Sequence, residues 1–383
     1  MKLRQSIEDF KVEEINEFKL LNKGSHKLYL LEKKNMETFS LLKYLSKKNR
    51  IPADDFGIAG LKDKHAISKQ YFTIPANYDI KTLKEQNFTI SFLGFVNNPI
   101  KIGDLKRNMF EITVRDITKG EIDGIRQKAE TIPLIGVPNY FDSQRFGSVI
   151  HKQFIAKSVI RKDYEDAVKL FLTQYTRHEK SKLKEEKRFM LKNWSSIKDI
   201  ELQNQLFIEI IDEYKRTDSW LSAYKQIPRR LREMFLLAYQ SYLWNECIKE
   251  VLRKLVKKEH LYPVQYNAGR LLFYKTLSEE KMKRIPSIFK TISHDITPTD
   301  FEKEIIDKVL SREILTLDKF DVKTETGNFF RAYERKIIVK PEDFRISEPI
   351  VDELNSNRFK ITLSFGLQKG SYATIITKRI FNK

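Results

Sequence analysis

The chain has 383 residues, room for one large domain or two ordinary ones, and 41% of them are hydrophobic, enough for a substantial core. Lysine and arginine exceed aspartate and glutamate by 71 − 52 = 19, a surplus that attracts polyanions and puts nucleic acid first among partner classes, with a generally lysine-rich proteome as the plain alternative. A single cysteine, Cys247, excludes an internal disulfide and the common thiolate zinc patterns. The opening MKLRQSIEDFKVEEI has no signal-peptide core and no stretch nears the roughly 18 apolar residues of a membrane span, so a cytoplasmic protein is expected.

Along the first 150 residues strand and helix signals alternate. Strands are predicted at Leu28 to Glu32, Phe88 to Val96 and Phe110 to Asp116; in the third, Phe110, Ile112 and Val114 fall on one face and Glu111, Thr113 and Arg115 on the other, the period of a half-buried sheet. Helical spacing at Phe39, Leu42 and Leu45, and again at Ile122, Ile125, Ala129 and Ile132, predicts helices covering that sheet, an α+β layer. Near the other end, Phe359, Ile361, Leu363 and Phe365 alternate with Lys360, Thr362 and Ser364, and after a turn at Gly370 strand character continues over Tyr372 to Ile376. The two chain ends are therefore expected to share one sheet.

The stretch between them is lysine-rich and mainly helical, and Thr176 to Lys192 is almost wholly charged at its polar positions. It is predicted as an inserted domain over 155–337, with 1–154 and 338–383 forming the domain it interrupts. Its strongest helix starts after Pro228 and runs to about Lys258, with Leu231, Phe235, Ala238 and Tyr242 inward and Arg229, Arg230, Arg232, Arg253, Lys254, Lys257 and Lys258 outside, as a phosphate-facing or simply solvated surface.

Common catalytic signatures are missing: no GxxxxGK[ST], GxSxG, HExxH or GxGxxG occurs, and the histidines at 26, 65, 151, 178, 260 and 294 do not cluster at ligand spacing. A reaction without metal is expected. Functional density concentrates instead in Gly57 to Thr73, GIAGLKDKHAISKQYFT, where Lys62, Asp63, Lys64, His65 and Gln70 crowd into a glycine-containing loop. A carboxylate flanked by two lysines suits nucleophilic attack, although Lys-Asp-Lys is also an ordinary surface turn. A second segment, PNYFDSQRFG, sets Tyr140, Phe141 and Phe146 around Gln144 and Arg145, a mixture that either stacks on bases and grips phosphate or packs as the core of a turn.

Together these segments resemble the TruD-type pseudouridine synthases. GIAGLKDKHAISKQ is similar to the family's AGxKDxxAxTxQ and PNYFDSQRFG to its NYFGxQRFG; EDFKVEE at Glu8 to Glu14 resembles EDFxVxE, Arg107-Asn108-Met109-Phe110 resembles GNxF, and LQKGSYAT at Leu367 to Thr374 resembles LPxGSFAT. All five occur in the family's order, and AYQSYLWN, Ala238 to Asn245, resembles a helix of the family's insertion, whose domain is there counted from about residue 136. The resemblance implies Asp63 as nucleophile, Phe10, Asn108, Phe110 and Tyr372 around the target nucleotide, and supporting or RNA-binding positions at Arg4, Lys62, Lys64, His65, Gln70, Asn139, Tyr140, Gln144, Arg145 and Phe146. Three departures stand out: Asp142 and Arg107 replace usual glycines, and Arg4 stands where bacterial relatives often carry lysine.

The implied fold is a pseudouridine synthase catalytic domain on a long antiparallel sheet, with a mostly helical insertion forming an RNA cleft. The implied activity is isomerisation of a uridine, uridine 13 of tRNA in the family pattern, by a cofactor-free monomer with tRNA or another structured RNA as partner. A non-catalytic RNA-binding module on the same scaffold, or an RNA enzyme of another type such as a metal-dependent nuclease, are the alternatives. Sensitivity to Asp63 substitution separates the first, and a need for divalent metal the second.

Overall fold

The computed structural model describes residues 1–176 and 179–382; His178 lies outside the described residues. The chain divides into two compact units, Met1–Val137 with Val339–Lys383, and Pro138–Ile338.

The first unit is built on one large sheet. Its longer strands are β1 (Phe10–Ile15), β2 (His26–Lys34), β3 (Ile67–Pro75), β4 (Phe88–Val96), β5 (Arg107–Ile117), β6 (Glu342–Ile346) and β7 (Phe359–Gln368). They lie side by side in the order β6-β7-β5-β1-β3-β2-β4. The two ends of the chain thus share one sheet, β7 running antiparallel to β5 with Phe365 opposite Phe110 and Leu363 opposite Ile112. Every pair in this order is antiparallel except the central one, β1 with β3, which is parallel.

Helices cover one face of the sheet. In α1 (Thr38–Asn49) Leu41, Leu42 and Leu45 pack on Tyr29, Leu31, Phe72 and Ile90, and truncating one such leucine to alanine typically costs about 2–5 kcal/mol. Phe39 departs from the predicted inward face: it is 52% exposed, and Leu41 takes the buried position. The three-residue step from Phe39 to Leu42 fits the helical period, but the turn that meets the sheet is set one notch further round, by Thr38, Leu41, Leu42 and Leu45. The helix stops at Arg50, which takes a left-handed backbone, φ 56°. In α2 (Ile122–Ile135) Ile125, Ala129 and Ile132 are buried as the spacing predicts, and Gly136, φ 66°, ends it.

The segment expected to continue as strand from Tyr372 is instead α3 (Ala373–Phe381), which packs with α2. Its β-branched residues favour a strand locally, yet Ile375, Ile376 and Ile380 are all buried on one side of a helix. Tertiary packing decides the outcome.

In the second unit the dominant helix is Arg229–Leu255. Phe235 and Ala238 are buried as predicted and Leu231 and Tyr242 half-buried. Arg232, predicted outside, is buried, its Nε donating to the Ile227 carbonyl at 2.9 Å, because the guanidinium satisfies carbonyls that an apolar side chain would leave unpaired. A hairpin, Leu261–Tyr266 with Gly269–Tyr274, interrupts the helical stretch. No helix among the described residues is long and apolar enough to cross a membrane.

Candidate active site

Parallel pairing of Lys11 with Ile67 sets the starts of β1 and β3 side by side. The segments that lead into those strands, Arg4–Asp9 and Gly60–Ala66, therefore arrive at the same place. There the Arg4 guanidinium donates to Asp63 Oδ2 at 2.7 Å, the two side chains being 32% and 18% exposed. Arg4 also lies over the Phe10 ring, 4.0 Å from its centroid. Its backbone is left-handed, φ 56°, a conformation uncommon for residues other than glycine.

Phe10 is 4% exposed and meets Phe110 edge to face at 6.1 Å, and Phe110 in turn lies 5.8 Å from Phe365 of β7. Asn108 and Phe110 are two apart on β5, so they share a face, the one carrying Glu14 and Val12 of β1 opposite them. Lys62 Nζ donates to Asn108 Oδ1 at 2.9 Å and lies 2.7 Å from Glu14 Oε1. Glu14 is buried, and its other oxygen accepts the Tyr71 backbone N–H at 3.0 Å. Tyr372 is half-buried at the start of α3, a few residues beyond the Leu367–Asn108 pairing.

The loop bearing Asp63 is braced from beneath by residues the motifs did not point to as well as by one they did. Thr38 Oγ1 accepts the Lys62 N–H at 3.2 Å and donates to Gln70 Oε1 at 2.8 Å, while Gln70 Nε2 reaches the Gly60 carbonyl at 3.4 Å. Gln70 is fully buried, with its side-chain amide bonded to Thr38 and the Gly60 carbonyl. Lys33, at 1% exposure, donates to the carbonyls of Met36 and Asp63. Lys33 lies one residue past the strand predicted at Leu28 to Glu32, and nothing local in the sequence marks it. Lys64 and His65 are exposed.

The second motif segment lies in the other unit. Tyr140, Phe141 and Phe146 are buried, packed edge to face on Phe273, Trp244 and Tyr266, and Tyr140 Oη donates to the Leu272 carbonyl at 2.8 Å. These rings follow the core alternative and not the base-stacking one. Asn139 is buried as well, bound by Arg335, which donates to its carbonyl and its side-chain oxygen at 2.8 and 3.0 Å. Gln144 is exposed and Arg145 half-buried with its guanidinium near the Phe141 ring.

A family model described as tRNA pseudouridine synthase D (TruD) matches residues 1–380. The chain belongs to the TruD family. A probable tRNA pseudouridine synthase D of Methanocaldococcus jannaschii is 43% identical over all of this chain and 92% of its own length. That of Methanococcus maripaludis is 41% identical with both chains fully covered. The solved structure of the TruD homologue from Methanosarcina mazei superposes with a TM-score of 0.74 at 24% identity, covering 100% of this chain and 93% of that one, which shows the common fold.

The two departures from the TruD glycines are readily accommodated. Asp142 has φ −104°, which suits any L residue, and its carboxylate caps the following turn by accepting the Ser143 N–H. Arg107 lies in an extended strand and ties β5 to β6 through Glu342 at 2.6 Å and Asp343 at 3.0 Å.

Proposed function

We propose that this chain isomerises uridine to pseudouridine in tRNA, at uridine 13, with Asp63 as the nucleophile. The observation that carries the reading is the Asp63 carboxylate, part-exposed and aimed by Arg4, at the edge of a face that presents Asn108 and Phe110. The reaction breaks the bond from C1′ to N1, turns the uracil, and joins C5 to C1′. The proton on C5 leaves and N1 gains one, so no redox partner or transferred group enters the balance. A carboxylate can attack C1′, add to the ring, or take a ribose proton on the way to a glycal, and each route needs it close to the sugar.

The base must leave its stack to come within reach. Phe110 offers part-exposed ring surface to it, and Tyr372 a second; buried Phe10 contributes by seating Arg4. Asn108 holds the uracil edge with a defined polarity. A lysine ammonium only donates, so its contact commits the Asn108 oxygen and leaves the amide N–H groups for substrate. A donor there suits a uracil carbonyl and opposes the amino group of cytosine. Asn108→Asp keeps the Lys62 contact but replaces the donor with an acceptor. Its kcat/KM should fall about 100-fold with melting temperature unchanged; wild-type turnover in this variant would remove the assigned role.

The second unit, with its basic helices, reads RNA shape in this scheme, and the protein acts as a cytoplasmic monomer without cofactor. The test is tritium release from tRNA labelled at uridine C5, with a transcript carrying cytidine at position 13 alongside. Release from the first and not the second supports both the reaction and its position. Release from both moves the target elsewhere, and tight binding with no release from either favours the RNA-binding module.

A further inference from the structure

Lys33 is a lysine almost fully withdrawn from water. It sits near the end of β2, with Ser68 of β3 opposite it on one side and Phe88 of β4 on the other. Its ammonium spends its donors on backbone: the Met36 carbonyl at 2.7 Å, the Asp63 carbonyl at 2.9 Å and, at the long limit, the Lys62 carbonyl at 3.5 Å. A buried cation is costly to maintain, and a neutral side chain of similar length would fill the same space more cheaply.

The three acceptors give the arrangement its meaning. The Lys62 and Asp63 carbonyls belong to the two peptide groups that flank the Asp63 Cα, so one ammonium bonded to the second and within long reach of the first restrains φ and ψ of that residue together, and with them the direction of its Cα–Cβ bond. Met36 lies in the turn into α1, which anchors the grip to the sheet and its covering helix. Thr38, Gln70 and Glu14 hold neighbouring points of the loop, but none of them reaches the peptide that follows Asp63.

We propose that Lys33 is the positioning residue of the nucleophile, a buried clamp that fixes the backbone on both sides of Asp63 and so aims its carboxylate at the target ribose. The proposal rests on Asp63 being the nucleophile. It adds a residue that touches no substrate yet sets the rate, because a displacement of about 1 Å at a reacting group can cost on the order of 100-fold. Burial depresses the Lys33 ammonium to about 8, opposed by the charges of Asp63 and Glu37 and assisted by that of Lys62. The clamp is therefore charged at neutral pH and discharges in the mildly alkaline range.

The experiment uses the full chain with Lys33→Met, which keeps the length of the side chain and removes its donors. The expected result is faster amide hydrogen exchange confined to residues 60–66, KM for tRNA within about threefold, and kcat lower by about 100-fold. Exchange needs no turnover, so it tests the clamp even where the assigned reaction fails. Unchanged exchange, or kcat within about threefold of wild type, overturns the proposal; so does protection lost across the whole sheet with kcat and KM worsening in step, which marks a merely structural residue.

Where the variant does not fold, the wild-type pH profile decides. Unfolded lysine titrates near 10.5, so between about 8 and that value the unfolded chain holds more protons at this site, and this group makes the fold more stable as pH rises. Activity should move the other way, kcat falling about tenfold from pH 7 to pH 9 as the ammonium discharges. A flat profile over that interval means that the two donors left on the neutral amine suffice for the Met36 and Asp63 carbonyls, and Lys33→Gln, read by exchange and kcat with the same outcomes as Lys33→Met, then decides.

Discussion

Asp63→Asn should lower the rate of pseudouridine formation by at least about 10⁴-fold while leaving tRNA affinity within about threefold. Asparagine keeps the size of the side chain and an oxygen that can still accept from Arg4, so the loop and the aromatic cluster beneath it stay in place; only the carboxylate proposed as nucleophile is gone. The pair it disturbs is partly exposed, so its contribution to stability is below about 1 kcal/mol and the melting temperature should scarcely move. Single-turnover tritium release together with filter binding separates the two quantities. Equal activity in Asp63→Asn and wild type would remove Asp63 from the chemistry altogether.

The largest effect on stability is expected at Arg115. It is 5% exposed and binds three carboxylates: Asp9 at 2.8 Å, Asp352 at 2.9 Å and Glu353 at 3.1 Å. Asp9 and Asp352 are themselves buried and further tied to backbone, Asp9 accepting the Ser6 N–H and Asp352 that of Asp116. Arg115→Met would leave both carboxylates without their cation, a loss of about 3–5 kcal/mol, and calorimetry should show the first unit melting about 10 °C lower. Because Asp9 precedes Phe10 and anchors the segment that delivers Arg4, activity should fall as well. A shift of less than about 2 °C would show that the network is not a keystone of the unit.

The same network sets acid sensitivity. Burial alone would raise the Asp352 carboxyl, but the Asp116 N–H, Asn355, the Leu354 N–H and Arg115 together bring it down to about 2. A carboxyl depressed in the fold stabilises it above the ordinary aspartate range near 4, and that stabilisation is lost as pH falls from there through about 2.

How far the sequence revealed this protein depends on which residues are considered. The alternation on β5 and β7 was plain because each strand has one face in the core, and the pairing of the chain ends followed from it. Tyr372 to Ile376 misled because β-branched residues prefer strands until a neighbouring helix offers a surface to pack on. The Asp63 loop stood out through its glycines and charges, but its supports did not: Lys33, Thr38 and Glu14 act through contacts 24 to 57 positions away in the chain, and such distances leave no local pattern. The aromatics of PNYFDSQRFG illustrate the reverse, since exposed and buried rings look alike until the hairpin and long helix that enclose them are known.

The parallel centre of the sheet and its shared ends also bear on how the protein comes off the ribosome. Asn108 and Phe110 lie on β5, whose outer neighbour β7 is separated from it by the whole second unit. At about 5–20 residues per second, translating residues 138–338 occupies roughly 10–40 s, during which β5 has an unpaired edge. The second unit can complete its own core in that interval, whereas the first must wait for β7. A nascent chain is therefore expected to complete its second unit before its first, and a truncated product lacking β7 would carry the whole Asp63 loop on a sheet that lacks one of its edges.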